Sequence, residues 1–326
     1  MKFPRVLVTG ATGFISGAIV RALIKDGHQV VGLVRSESSP ASGALKESGV
    51  ELAVGDMLRP DSYRGLVNHV DAVIHAAQYA VKGRITDARI QQLGAANQLM
   101  TSTLATECVV LHKRFVYTSG TFNYGNCGDA WIDESTPFNP SPLGKTHAKE
   151  VAGLRAMRAM KAFDLVVVAP GFVLGPGGYF KEALYDQAVK NRLRVVGSGK
   201  NYWSCIQVDD LAAAFALALE KAPPGAEYNV VDDNPVTLRA LVDSVTDAMG
   251  KKRVGTIPPF LMNLLVGKPL VESMVSSFRV KNQKAREELG WAPKFAAPAD
   301  AVRSIFTQMK LSNDGPTTLD KGTAAS

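Results

Sequence analysis

Short β-branched runs alternate along the chain with stretches whose apolar residues recur every three or four positions. Val6 to Val8 is followed by Ile15, Ile19, Leu23 and Ile24, and then by Val30 to Val34. A continuous apolar run suits a strand buried on both faces, and the wider spacing covers one face of a helix. The alternation continues through Val50 to Val54, Ala72 to Ile74, Phe115 to Tyr117 and Leu165 to Ala169. Strand and helix in turn predict an α/β fold, a doubly wound parallel sheet, because right-handed crossovers lay helices on both faces. Beyond residue 175 the rhythm loosens into GPGGYF, a helical Lys181 to Lys190, a short strand at Leu193 to Val196 and a helix opening at Val208.

This pattern divides the chain into a sheet domain at 1–175, to which residues from about 200–235 return, and a smaller C-terminal region at 176–310. The second region caps the carboxyl edge of the sheet, where ligands of open α/β sheets bind, and is expected to hold the substrate. The tail 311–326 lacks apolar periodicity and is expected to be disordered.

Composition narrows the function. The 326 residues are 46% hydrophobic and 21% charged, an ordinary globular balance. Cys108, Cys127 and Cys205 are too few and too scattered for a disulfide framework or a zinc knot, which points to a reducing, cytoplasmic setting. MKFPRVLVTG enters a strand at once and leaves no room for a signal peptide, and LAAAFALAL, from Leu211 to Leu219, is too short to span a membrane. The net charge of +7 suits a phosphorylated cofactor, although spread so widely it is equally a solvated surface. No aromatic residues interleave with the basic ones of the C-terminal third, which argues against nucleic acid as a partner. Five histidines without metal-ligand spacing and the absence of a Gly-x-Ser-x-Gly turn exclude a metal site and a serine hydrolase.

The segment VLVTGATGFISGAIV sets Gly10 and Gly13 between the first strand and the first helix. Without a Cβ at these positions the backbone can close on a pyrophosphate at the positive helix terminus, along Gly10, Thr12, Gly13, Phe14 and Ile15. The third glycine of such turns would fall at position 16, where the chain has Ser16 followed by Gly17. An acidic residue at the end of the second strand would select NAD(H) through the ribose hydroxyls. Here Arg35 and Ser36 stand there instead, and they complement a 2′-phosphate, so NADP(H) is expected rather than NAD(H).

Taken in order, TGATGFISG, LVR, GDM, IHAA, YTSG, PGFVLGPGG, VDDL and KAREELGWAP resemble the extended short-chain dehydrogenase/reductase superfamily, in its NAD-dependent epimerase/dehydratase branch. The resemblance covers residues 4–309. It implies a Rossmann sheet in which Asp56 and Met57 hold the adenine. It also implies that Ala76, Ala77, Gln78 and Thr118 line the cofactor path, and that Pro170, Gly171 and Val173 flank the nicotinamide. Gly171 also reads plainly as a strand-to-loop turn.

The family pairs a tyrosine with a lysine four residues later on one helix face. In PSPLGKTHAKE the lysine matches Lys149, expected to anchor the ribose, but Lys145 stands in the tyrosine's place. Two lysines at i and i+4 beside a cationic ring favour a neutral amine, so Lys145 is a candidate acid/base, or else a solvated residue at a site that has lost this chemistry. His147, two residues from each lysine, falls on the opposite face and is set aside. The family's substrate-holding hydroxyl aligns with Gly120, leaving Ser119 or Thr121 to serve. Tyr79, Tyr179 and Trp203 are placed in loops facing the substrate, as pocket wall or as lid packing.

The resulting expectation is an NADP(H)-dependent oxidoreductase acting on a carbonyl, alcohol or activated double bond of a small, mostly apolar molecule. The alternatives are an epimerase or dehydratase that recycles its cofactor, and a non-catalytic NADP-binding regulatory or RNA-associated protein. The resemblance further implies that helices at Thr86 to Thr106 and Lys145 to Met160 pair across a twofold axis in a homodimer; the faces at Ala148, Ala152, Ala156, Met157 and Met160 permit this and equally fit packing against the sheet.

Overall fold

A computed structural model describes residues 2–79 and 83–313 of the chain. Seven strands form the central sheet: β1 (Arg5–Thr9), β2 (Gln29–Val34), β3 (Glu51–Val54), β4 (Ala72–His75), β5 (Arg114–Thr118), β6 (Leu165–Pro170) and β7 (Glu227–Val230). All pairings are parallel and the spatial order is β3-β2-β1-β4-β5-β6-β7. The order turns back beside β1, which opens a crevice at the carboxyl ends of β1 and β4.

Helix α1 (Phe14–Lys25) covers one face with α5 (Val208–Lys221); α3 (Asp87–Val110) and α4 (Gly144–Met160) cover the other, and α2 (Pro40–Glu47) joins β2 to β3. The α1 and α5 side holds Ile19, Leu23, Leu211 and Phe215 against alternate strand residues such as Val6, Val8, Ile74 and Val116. The opposite side holds Leu104, Val151 and Leu154 against Leu7, Val73, Phe115 and Val167. Arg114 at the start of β5 is buried, pairs with Asp164 through two bonds of 2.9 and 3.0 Å, and donates to the carbonyls of Leu219 and Ala222 at 2.7 and 2.8 Å. It closes the C-terminal end of α5.

A second core gathers Leu174, Phe180, Trp203, Leu241 and Phe306 from the later chain. Short strand pairs tie this part together, Phe172–Leu174 with Cys205–Gln207 and Val195–Val196 with Thr256–Ile257. The bounds of three expected elements differ here. The strand at Leu193 shortens to Val195–Val196, because only these two residues pair with Thr256–Ile257. The helix at Lys181 is a π-helical turn, Phe180–Tyr185, running into Asp186–Val189. The last helix, α6 (Pro298–Asn313), passes Leu311, where the tail was expected to begin; the rest of that tail lies outside the described residues. No helix of the described residues is long and apolar enough to cross a membrane. Cys108, Cys127 and Cys205 are all free thiols.

Candidate active site

Gly10 turns the chain from β1 toward α1 with φ of +63°, a conformation that L side chains rarely adopt. A Cβ there would stand 3.1 Å from that of Ala77, so the turn lies directly against the end of β4. Ser16, at the third-glycine place, is buried and its hydroxyl donates to the Gly10 carbonyl, so the serine braces the turn instead of crowding it. Gly17 fills no tight contact. Gly13 caps α1 with no side chain over its end, Thr12 and Gly13 are exposed, and Phe14 lies against Gly175, Gly177 and Gly178. An uncovered helix terminus behind a left-handed glycine fits a pyrophosphate.

Arg35 and Ser36 are exposed at the end of β2, and Arg35 makes neither a hydrogen bond nor an ion pair among the described residues. Asp56, after β3, accepts from the Leu58 amide at 3.0 Å and from Arg59 at 3.2 Å, while Met57 packs against the core beneath. The Thr9 hydroxyl accepts from the amides of Ala76 and Ala77 at 3.2 and 3.0 Å, which fixes the β4 end beside the glycine turn. Thr118 is buried with its hydroxyl unpartnered. Pro170 ends β6, and Val173 packs on the first core. Gly171 packs tightly after β6, where a Cβ would meet the Ser204 carbonyl at 2.4 Å.

The catalytic candidates fall differently. Lys145 and Lys149 are both exposed, with no hydrogen bond or ion pair from either side chain among the described residues. The Ser119 hydroxyl accepts from Asn123 at 2.9 Å, and Thr121 is buried in the turn Thr121–Tyr124, so neither presents a free hydroxyl at the surface. Trp203 is core, its ring tilted against that of Phe172 with centroids 4.8 Å apart; Tyr179 is exposed, and the Tyr79 amide donates to Asn97.

On the inward side of α4, half-buried His147 stands beside the buried Glu150, Val151 and Leu154. Its Nε2 lies 3.0 Å from Nε2 of Gln78, and its Nδ1 lies 3.0 Å from the Tyr117 hydroxyl, which also bonds Glu150. Burial holds His147 down at about 4 and pushes the Glu150 carboxyl up to about 7, partly offset by the Tyr117 bond. Beside them His75 bridges Thr9 at 2.9 Å and Thr101 at 3.2 Å, and burial, with His147 nearby, holds it down at about 3. The signal was in the sequence. Counting back four from Val151 and seven from Leu154, both buried, lands on His147, whereas Lys145 and Lys149 miss that face.

The model of the NAD dependent epimerase/dehydratase family matches residues 6–231. The chain belongs to that family. A 2-alkyl-3-oxoalkanoate reductase of Stenotrophomonas maltophilia is 29% identical over 89% of this chain and 95% of its own. The fold matches the dTDP-glucose 4,6-dehydratase of Bacillus anthracis solved with NAD, at a TM-score of 0.79, 18% identity, and 95% and 98% coverage. It also matches a human epimerase family protein solved with NADPH, at 0.75, 21% identity, and 93% and 99% coverage. Members of the family bind nicotinamide dinucleotides, and this chain is an enzyme of the oxidoreductase type found within it.

Proposed function

We propose that the protein is an NADP(H)-dependent oxidoreductase acting on a carbonyl or alcohol of a small, mostly apolar molecule. The observation that carries this reading is Arg35, free and exposed at the end of β2 beside the Gly10 turn, where a 2′-phosphate needs a cation. The reductase name of the Stenotrophomonas relative supports the reaction class. Gly10, Thr12, Gly13, Phe14 and Ile15 would hold the pyrophosphate. Arg35 and Ser36 would hold the phosphorylated ribose, Asp56 and Met57 the adenine, and Ala76, Ala77, Gln78, Thr118, Pro170 and Val173 the path to the nicotinamide. Bound there, the cofactor supplies or accepts a hydride. Gln78, three residues beyond β4, and His147, bonded to it, are polar groups available at this end, whereas Lys145 and Lys149 are exposed. The same reading takes the exposed face of α4, with Ala152, Ala156 and Met160, as a homodimer contact.

Calorimetric titration with NADPH and with NADH tests the proposal. NADPH is expected to bind more tightly, and Arg35→Ala to lose about 1.5–3 kcal/mol toward NADPH, roughly tenfold to a hundredfold, with NADH unchanged. Equal affinities indifferent to Arg35 would overturn it. Product formed in proportion to NADPH consumed separates this enzyme from one that recycles its cofactor.

A further inference from the structure

We propose that Gln78, His147, Tyr117 and Glu150 form a proton relay that moves a proton between the β4 end and a buried carboxyl without charging the imidazole. Its use in turnover rests on the oxidoreductase reading above, because carbonyl reduction consumes a proton and alcohol oxidation releases one. The relay itself is a property of the chain's own donors and acceptors.

Four side chains stand in line, from exposed Gln78 through half-buried His147 to buried Tyr117 and Glu150, each within hydrogen-bond reach of the next. An ionised Glu150 only accepts. Tyr117 must then donate its one proton to the carboxylate, and its oxygen accepts from His147 Nδ1–H. His147 Nε2 is left bare and takes an amide proton from Gln78. Protonating Glu150 reverses every bond. The carboxyl O–H donates to Tyr117, Tyr117 donates to Nδ1, and the proton of the imidazole sits on Nε2, where it faces the Gln78 carbonyl after an amide flip.

Passage from the first arrangement to the second forms an Nε2–H bond, breaks Nδ1–H, exchanges the phenol proton and forms the carboxyl O–H. One proton enters at the Gln78 end and one is bound at Glu150; no electrons move, and the imidazole is neutral before and after. Two observations favour a carboxyl that changes state. The second carboxylate oxygen of Glu150 is buried without a partner among the described residues, which leaves the anion poorly held. The titratable groups against the chain are Tyr117 from β5 and His75 from β4. From α3 come only the neutral Thr101, on His75, and Asn97, while Lys145 and Lys149 of α4 point to solvent. Among the described residues no cation therefore fixes the anion. Burial also separates the two ends, with Glu150 pushed up to about 7 and His147 held at about 4, so Glu150 titrates while the ring stays neutral.

The test is nitrogen-15 NMR of the histidine rings in the full-length protein, titrated through the range in which Glu150 changes charge. We expect His147 to carry its proton on Nδ1 above the Glu150 midpoint and on Nε2 below it. The two transitions should share one midpoint, read for Glu150 from its carbon-13 carboxyl shift. Tyr117→Phe is expected to abolish the tautomer change while Glu150 still titrates. Glu150→Gln, a smaller perturbation of packing, is expected to pin His147 in a single tautomer at every pH. A tautomer that stays constant in the wild-type protein, or one that still switches in Tyr117→Phe or Glu150→Gln, overturns the relay. NADPH titration of the same samples reads the oxidoreductase assignment separately, since the tautomer change needs no nucleotide.

Discussion

Replacing Glu150 by glutamine exchanges a buried carboxylate for a neutral group of the same shape that still accepts from Tyr117. In the unfolded chain the carboxyl titrates near its ordinary 4.5, and in the folded chain near 7. Between those values the native state holds more protons than the unfolded one. Stability from this group is therefore present below pH 4.5 and lost as pH rises through about 7. At about 1.4 kcal/mol for each pH unit, the loss comes to about 3 kcal/mol. His75 and His147 act in the opposite sense, because their lowered values withdraw stability as pH falls below 6.5. Both histidines are common to the two proteins, so the difference between wild type and Glu150→Gln isolates the carboxyl. The variant is expected to match wild type in acid and to melt about 6 °C higher above neutrality, at about 2 °C per kcal/mol for a chain of this size. Differential scanning calorimetry at several pH values reads the gap. A difference that does not grow with pH, or a variant less stable than wild type above neutrality, refutes burial as the cause of the raised carboxyl.

Other perturbations have equally definite outcomes. Arg114→Ala removes the partner of Asp164 and uncovers the carbonyls of Leu219 and Ala222; urea denaturation should show a loss of about 3–5 kcal/mol, and a loss under about 1 kcal/mol would contradict the role given to Arg114. Gly171→Ala drives a Cβ into the Ser204 carbonyl and should cost about 1–3 kcal/mol by the same assay, whereas an unchanged midpoint would mean that this part of the chain yields freely. Lys145→Ala should alter stability by no more than about 0.5 kcal/mol and leave NADPH affinity as it was, because the side chain is exposed; a tenfold fall in affinity would return the lysine to the cofactor.

Much of the fold is legible in the chain because parallel strands buried on both faces are written as unbroken apolar runs. Val30 to Val34 and Leu165 to Ala169 mark β2 and β6 almost to the residue. β7 is EYNV, too short and too polar to stand out, and the pairing with β6 is what makes it a strand. The glycine turn and Arg35 were equally readable, since backbone conformation and strand-end position follow from local sequence. The arrangement at the catalytic end was less legible for a physical reason. Two lysines spaced by four fix a common face but not which way that face turns, and only Val151 and Leu154 fix the rotation of α4. Seen from those two residues, the polar residues drawn inside are His147 and Glu150. Their meeting with Tyr117 and Gln78 depends on packing between elements far apart in the chain.

The sheet order has a consequence for how the protein is made. β6 is followed by more than a turn of the fold's capping region before β7 arrives at Glu227 to close its open edge, and α1 lies against α5, which does not begin until Val208. A nascent chain that has just released β6 therefore carries an unpaired parallel edge and the bare faces of Ile19 and Leu23, the surfaces that invite aggregation and chaperones. The crevice's first residues leave the ribosome early but α1 gains part of its support from a helix made much later, so truncation near residue 175 removes that support from a site whose own residues are all still present.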